Sequence, residues 1–376
     1  MSDKTSCECD PKSRFLFSMF PDLVDKLPWM PLAELPSPLE RMKKLGKKLG
    51  MSELWIKPDD LNSNVYGGNK PRKFEFIFAE AKKMGRKKIL TMGSAGSNHG
   101  AAATLFCRHC GFDPILSLSP QPVLSYVRNN ILINQVNNAK IIFGANEAVS
   151  ILKCLPLYAK AAIKGEAPPY FMYFGGSSKT GNIGFVEAGL ELADQVKKGV
   201  MPMPKYLFVA AGSCGTHAGL LVGLRLAGLP TKVIGVRIVP KAVTNKVVVA
   251  FHANRVARHL RTLDPGFPAM RFSPKEINLI EDYYGGEYGR PTPECKEAIQ
   301  ILKETENIPL DPTYTGKAFA GMLGFIQEHK LSDEPTLFWQ TLNTVDLSSQ
   351  LKQGDPSKLP SCLRKFFTEP LYDPDL

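Results

Sequence analysis

Three short segments concentrate the groups able to do chemistry. The first is Ala210-Ala-Gly-Ser-Cys-Gly-Thr-His-Ala-Gly219, which follows the apolar run Tyr206 to Val209 and leads into helix-like sequence from Leu220 to Ala227. A strand, a tight polar loop and a helix start make an anion cradle. Gly212 and Gly215 let the backbone approach closely, while Ser213, Thr216 and the free amides of the helix start can donate hydrogen bonds to a dianion such as a phosphate. No Gly-x-x-x-x-Gly-Lys-Ser/Thr is present, and no Gly-x-Gly-x-x-Gly with an acidic residue about twenty positions on, so the phosphate belongs to a ligand other than a nucleotide. An ordinary strand-to-helix turn is the competing reading. The second segment is Tyr66-Gly-Gly-Asn-Lys-Pro-Arg-Lys73, in which Gly67 and Gly68 permit a sharp turn and Lys70 opens a helix. The positive end of a helix disfavours a cation, so this lysine is better explained by charge neutralisation or by covalent Schiff-base use than by capping. The plain alternative is a surface lysine in a glycine turn. The third, Gly93-Ser-Ala-Gly-Ser-Asn-His-Gly100, places Ser97, Asn98 and His99 at another helix start. It could hold a carboxylate while Asn98 orients a phenolate or carbonyl oxygen, although Ser and Asn are also the commonest helix caps.

Elements that could position these loops are legible as alternating strand and helix. Short apolar runs occur at Lys88 to Met92, Ile115 to Leu118, Lys140 to Phe143, Tyr170 to Phe174, Tyr206 to Val209, Lys232 to Ile238 and Thr336 to Trp339, each followed by a longer segment. Near-continuous apolar runs are what parallel strands buried on both faces look like, and the alternation predicts a largely parallel α/β architecture with sites at strand C-terminal ends. The breaks at Pro168-Pro169 and at Lys198 to Pro204 divide the units into two α/β layers facing a shared ligand site. The stretch Leu263 to Glu287, rich in Pro, Gly and Tyr, reads as an irregular region bordering that site, and the last twenty residues as a poorly structured tail.

Composition is that of a globular protein. The 376 residues are 44 % hydrophobic and 22 % charged, which excludes wholesale disorder, collagen-like repeats and a coiled-coil rod. No run of about 18 apolar residues occurs and the start is polar, so no membrane span or secretory signal is expected and the cytosol is the expected compartment. The net charge of +11 is spread over short pairs such as Lys43-Lys44 and Lys87-Lys88, a pattern that disfavours nucleic acid and leaves a field favouring anionic small molecules. Eight cysteines are too few for a disulfide scaffold, and although Cys107 and Cys110 have redox or zinc-like spacing, no second cysteine pair completes four metal ligands. Cys107-Arg-His-Cys110 lies in helix-like sequence and reads as packing, and Cys7 and Cys9 fall in an N-terminal tail.

Four motifs in order, Gly-Gly-Asn-Lys70 with Arg72-Lys73, Gly-Ser97-Asn98-His99, the cradle Gly212 to Gly219, and Gly-Glu-Tyr288-Gly with Asp-Pro-Thr-Tyr314-Thr315-Gly-Lys317, resemble the pyridoxal-phosphate enzymes of fold type II. The resemblance is to the D-cysteine desulfhydrase and 1-aminocyclopropane-1-carboxylate deaminase group, and the spacings agree as well, 27 residues from Lys70 to Ser97 and 26 from Tyr288 to Tyr314. It implies an α/β fold of two open, twisted, mostly parallel sheets like that of tryptophan synthase β. Residues 1–72 and 188–376 would form a large cofactor-binding domain and 73–187 a small one, with the site between them. It further implies that Lys70 carries pyridoxal 5'-phosphate, that Gly212, Ser213, Cys214, Gly215 and Thr216 hold its phosphate, and that Asn98 hydrogen-bonds its ring hydroxyl. Ser97 would meet the substrate carboxylate and assist proton transfer, and Tyr288 and Tyr314 would line the substrate face as acid, base or positioning groups.

Thr315 falls where the deaminases carry a glutamate facing the pyridine nitrogen. A neutral hydroxyl there argues for expulsion of a β-substituent over cyclopropane opening. The implied activity is α,β-elimination from a small amino acid, with D-cysteine giving pyruvate, ammonia and sulfide as the leading case. The deaminase reaction and a cysteate sulfo-lyase are the related readings, and a catalytically weak cofactor-binding protein the reading of another class. No metal is implied, and a homodimer is. Three departures bear on the substrate: Gly96 stands in place of a glutamine, Cys214 in place of a smaller residue, and Gln340-Thr341-Leu342-Asn343 in place of a His-Thr-Gly-Gly loop.

Overall fold

The computed structural model describes residues 11–373. Cys7 and Cys9 lie outside them. Among the described residues, ten strands are arranged in two sheets: β1 Glu40–Arg41, β2 Leu54–Pro58, β3 Lys88–Ser94, β4 Asp113–Ser119, β5 Lys140–Phe143, β6 Tyr170–Met172, β7 Tyr206–Ala211, β8 Lys232–Arg237, β9 Asn278–Ile280 and β10 Thr336–Gln340. The larger sheet has the order β1-β2-β10-β7-β8-β9 and the smaller β5-β4-β3-β6. Every pairing is parallel except β1 with β2. All seven apolar runs in the sequence form strands. In β10 all five residues are buried, as expected for a strand covered on both faces.

All four strands of the smaller sheet come from residues 88–172, and all six of the larger sheet from residues outside that range. The helix Lys70–Lys83 connects the two, and it is buried for most of its length. Its Arg72 is fully buried and forms ion pairs of 2.8 Å with both Asp59 and Glu191, while Lys57 joins Glu191 at 2.7 Å. Trp339 Nε1 donates to the same Asp59 carboxylate at 2.7 Å. This network ties the helix to β2, to β10 and to the helix Ile183–Lys197. Removing one partner from such a buried set costs about 3–5 kcal/mol, because a charge is left without compensation.

Two expectations are corrected. Of the last twenty residues, the described ones, 357–373, are not a loose tail: Ser361–Thr368 is helical, with Leu363 and Phe366 buried against Val123, Val127 and Ile131 on the smaller-sheet side. The stretch from 264 to 287 is largely irregular and contributes the edge strand β9, but none of its residues lines the central cavity; the neighbouring Tyr288 does. Among the described residues, no helix is long and apolar enough to cross a membrane.

Candidate active site

The loops at the C-terminal ends of β2, β3, β7 and β10 converge on one cavity of about 310 Å³, the placement expected for open α/β sheets. Its wall includes Lys70, Ser97, Asn98, Gly212, Ser213, Cys214, Thr216, Tyr288 and Tyr314. Two of the expected site residues, Gly215 and Thr315, are not on that wall.

Lys70 is the first residue of its helix and is half-buried, on the cavity wall. Burial, opposed only by the Asp311 charge, brings its amine down to about 8. Lys70 Nζ donates to Asn69 Oδ1 at 2.7 Å, and Asn69 Nδ2 donates to Thr216 Oγ1 at 3.2 Å, so one side chain links the lysine to the polar loop. The turn before it depends on Gly68, whose φ is +84° and where a Cβ would lie 2.4 Å from the Thr341 carbonyl oxygen. Asn343 Oδ1 accepts from Gly67 N–H at 2.6 Å. The Gln340–Asn343 departure therefore supports the lysine turn, with Thr341, Leu342 and Asn343 on the cavity wall and Gln340 turned to the Pro309 carbonyl at 3.0 Å.

The helix after β7 begins at Gly215, five residues before the position expected from sequence, which puts its unpaired amides directly at the cavity. Cys214 has φ +63°, the left-handed region that favours glycine. Its thiol is accommodated against Thr244 Oγ1 at 3.4 Å. A Cβ on Gly215 would lie 2.3 Å from Ser177 Oγ, 2.3 Å from Asn182 Oδ1 and 2.9 Å from Lys73 Nζ. Asn182 Oδ1 is buried with no hydrogen-bond partner. Lys73 Nζ donates to the Gly175 carbonyl at 3.0 Å and to Ser177 Oγ at 3.2 Å, and Ser177 Oγ lies 2.7 Å from Ser213 Oγ. Burial, with Lys70 nearby, pushes Lys73 well below the usual lysine range. A buried amine that an anion would restore to its charged form, two hydroxyls and a helix N-terminus fit a dianionic phosphate. Ser177 and Asn182 are not singled out by the sequence, and Lys73 stands there only as part of a motif, with no role given to it. The motif spacing was a signal for Lys73, one helical turn from Lys70 on the same face.

Ser97 caps the helix Asn98–His109 and accepts from Gly100 N–H at 3.1 Å. Asn98 Oδ1 accepts from Asn130 Nδ2 at 2.7 Å, which leaves the Asn98 amide nitrogen as a donor to the cavity. His99 is neutral: burial takes it well below the ordinary histidine value, and its Nε2 lies 2.8 Å from Thr91 Oγ1. Gly96 has a steric cause, since a Cβ there would stand 2.6 Å from Val127 Cγ2, and its amide is met by Gln121 Oε1 at 3.1 Å.

Tyr288 and Tyr314 share a short hydroxyl–hydroxyl hydrogen bond. Burial raises both phenols above the ordinary tyrosine value, so at neutral pH they are proton donors. Thr315 is fully buried and its hydroxyl donates to Asp311 Oδ2 at 2.7 Å while accepting from Asp311 N–H at 2.8 Å. The carboxylate on the wall in this region is that of Asp311, saturated by the amides of Thr313, Tyr314 and Thr315.

Three comparisons bear on this site. The family model described as pyridoxal-phosphate dependent enzyme matches residues 30–340. A D-cysteine desulfhydrase of Yersinia enterocolitica is 34 % identical over 330 residues, covering 84 % of this chain and 94 % of the relative. One of Serratia proteamaculans is 33 % identical over the same length, with the same coverage. Among solved structures, one described as an ACC deaminase homologue superimposes with a TM-score of 0.73 at 27 % identity, covering 92 % of this chain and 99 % of the other.

Proposed function

The chain belongs to the pyridoxal-phosphate dependent enzymes, and from that premise we propose that it is a carbon–sulfur lyase which eliminates the β-substituent of a small amino acid, D-cysteine first among them. One observation carries the reading: a single cavity joins the amine of Lys70 to the loop of Ser213 and Thr216 and to the Tyr288–Tyr314 pair.

Bound pyridoxal phosphate supplies an electron sink that acidifies the substrate α-proton. Lys70 would hold the aldehyde end, and Gly212, Ser213, Cys214, Gly215, Thr216 and Lys73 would hold the phosphate end. Asn98, its Oδ1 fixed by Asn130, would donate to the ring hydroxyl. The helix start at Ser97 and Asn98 takes the substrate carboxylate. An amine lowered to about 8 is a base poised near working pH, so Lys70 takes the α-proton. Tyr288 and Tyr314, held protonated, donate to the departing sulfur. Cysteine and water become pyruvate, ammonia and hydrogen sulfide, with no external oxidant or reductant. Thr315 does not reach the cavity wall and its hydroxyl is engaged by Asp311, so it does not decide between elimination and cyclopropane opening.

We read the two sheets as two domains, 1–72 with 188–376 and 73–187, in a cytoplasmic homodimer acting on a small amino acid, without nucleic-acid or membrane partners. The test is product release from D- and L-cysteine, 3-chloroalanine and 1-aminocyclopropane-1-carboxylate. Pyruvate with stoichiometric sulfide from D-cysteine supports the proposal. Faster release of 2-oxobutyrate from the cyclopropane, or no product from any substrate, overturns it.

A further inference from the structure

The charges on the cavity wall are unlike those of the whole chain. The protein carries +11, yet Lys70 is the one lysine or arginine on the described wall, and it is committed to the cofactor. Lys73 faces the phosphate loop from outside the wall. The cations next along the chain are turned elsewhere: Arg237 donates to the carbonyls of Val239 and Glu281, and Lys241 pairs with the Glu281 carboxylate at 3.6 Å. Two carboxylates do line the cavity, Asp311 and Glu147. Asp311 is occupied by its own loop, as described above. Glu147 is exposed at the rim, and its carboxylate makes no hydrogen bond or ion pair among the described residues. Its field reaches the substrate side: after burial and the Asp311 charge, the Glu147 charge is the smallest of the causes that raise Tyr288, and after burial it is the next cause at Tyr173.

A bound substrate already brings anions. The phosphate uses the cradle and Lys73, and the α-carboxylate uses the helix start at Ser97. No cation on the wall remains for a third. We propose that Glu147 is a specificity-determining residue that repels an anionic β-substituent, so that the enzyme accepts neutral or cationic β-substituents and discriminates against β-carboxylates and β-sulfonates. This rests on the reading of the cavity as an amino-acid lyase site, and it removes the sulfonate-bearing substrate that the basic net charge favoured. Bulk charge is screened within about 8–10 Å at ordinary salt, so the local wall decides.

The test uses the holoenzyme and a near-isosteric pair whose β-substituents are poor leaving groups, asparagine and aspartate, each as both enantiomers, titrated by the visible spectrum of the cofactor. The enzyme is expected to bind the preferred enantiomer of asparagine at least about fivefold more tightly than that of aspartate. Glu147→Gln should narrow the ratio roughly three- to fivefold, the scale of a solvent-screened charge pair. Salt at 0.5 M should narrow it in the wild type and little in Glu147→Gln, which a merely structural role would not produce. Glu166→Gln, an exposed acid away from the cavity, should leave the ratio as it is. Equal binding of aspartate and asparagine, or a ratio indifferent to Glu147→Gln and to salt, overturns the inference while the lyase reading stands. If no amino acid alters the chromophore, the lyase reading fails and takes the inference with it.

Discussion

The lowered amine of Lys70 makes the rate of cofactor capture a pH meter for the site. With the amine at about 8, roughly one Lys70 in ten is neutral at pH 7, against about one in three thousand for an ordinary lysine at 10.5, a gain of about 300-fold in reactive amine. Only the neutral form attacks an aldehyde, so falling pH slows capture and rising pH speeds it until the amine is fully deprotonated. Apo-protein mixed with pyridoxal phosphate between pH 6 and 10.5, quenched with borohydride and mapped by mass spectrometry, should give a capture rate at Lys70 that rises with a midpoint near 8 and is flat above 9. Mapping is essential because Lys73, also lowered by burial, lies one turn away. The Asp311 charge favours the Lys70 cation and opposes the effect of burial. Asp311→Asn should therefore move the midpoint below 8, since the amide keeps an acceptor for the loop while removing the charge. A rate still climbing at pH 10, or a midpoint that moves upward in Asp311→Asn, refutes the reasoning.

Other consequences can be checked separately. Gly68→Ala forces a Cβ into the Thr341 carbonyl at a φ of +84°, and should cost roughly 1–3 kcal/mol in denaturant unfolding and weaken cofactor retention. Ser97→Ala removes the acceptor for Gly100 N–H and should cost about 1 kcal/mol by the same measurement, with turnover reduced and the cofactor still bound. Lys73→Met should lower pyridoxal-phosphate affinity roughly 10- to 100-fold in equilibrium dialysis, the scale of a charge-assisted hydrogen bond lost to a phosphate. Since burial holds Tyr288 and Tyr314 protonated, the 295 nm difference between wild type and Tyr314→Phe should show no phenolate step below pH 10.

Legibility in the sequence followed burial. Strands covered on both faces, such as β7 and β10, are continuous apolar runs and could be read directly. β1 could not, because its two residues are exposed. β2 was hidden by Lys57, whose buried ammonium is matched by Glu191 and Gln195 from more than 130 residues away. The C-terminal helix was hidden by its flanking prolines, and its apolar stripe has meaning only beside Val127 and Ile131. At the site, the lysine turn and both polar loops announced themselves through glycine and hydroxyl residues at helix starts. Ser177 and Asn182 did not, because their role depends on the chain returning to Gly215 from a different βα unit. Thr315 was legible as a position but not as an environment, since its hydroxyl is taken by Asp311, four residues earlier.

The central claim is that Lys70 holds the aldehyde of a cofactor whose phosphate rests on the loop of Ser213 and Thr216. Borohydride reduction of the purified holoenzyme followed by peptide mapping tests it most directly. The account predicts one phosphopyridoxyl group, on Lys70, and a Lys70→Ala protein that is folded and has lost the visible absorbance. A modified residue other than Lys70, or a Lys70→Ala protein that keeps the wild-type spectrum, would contradict it.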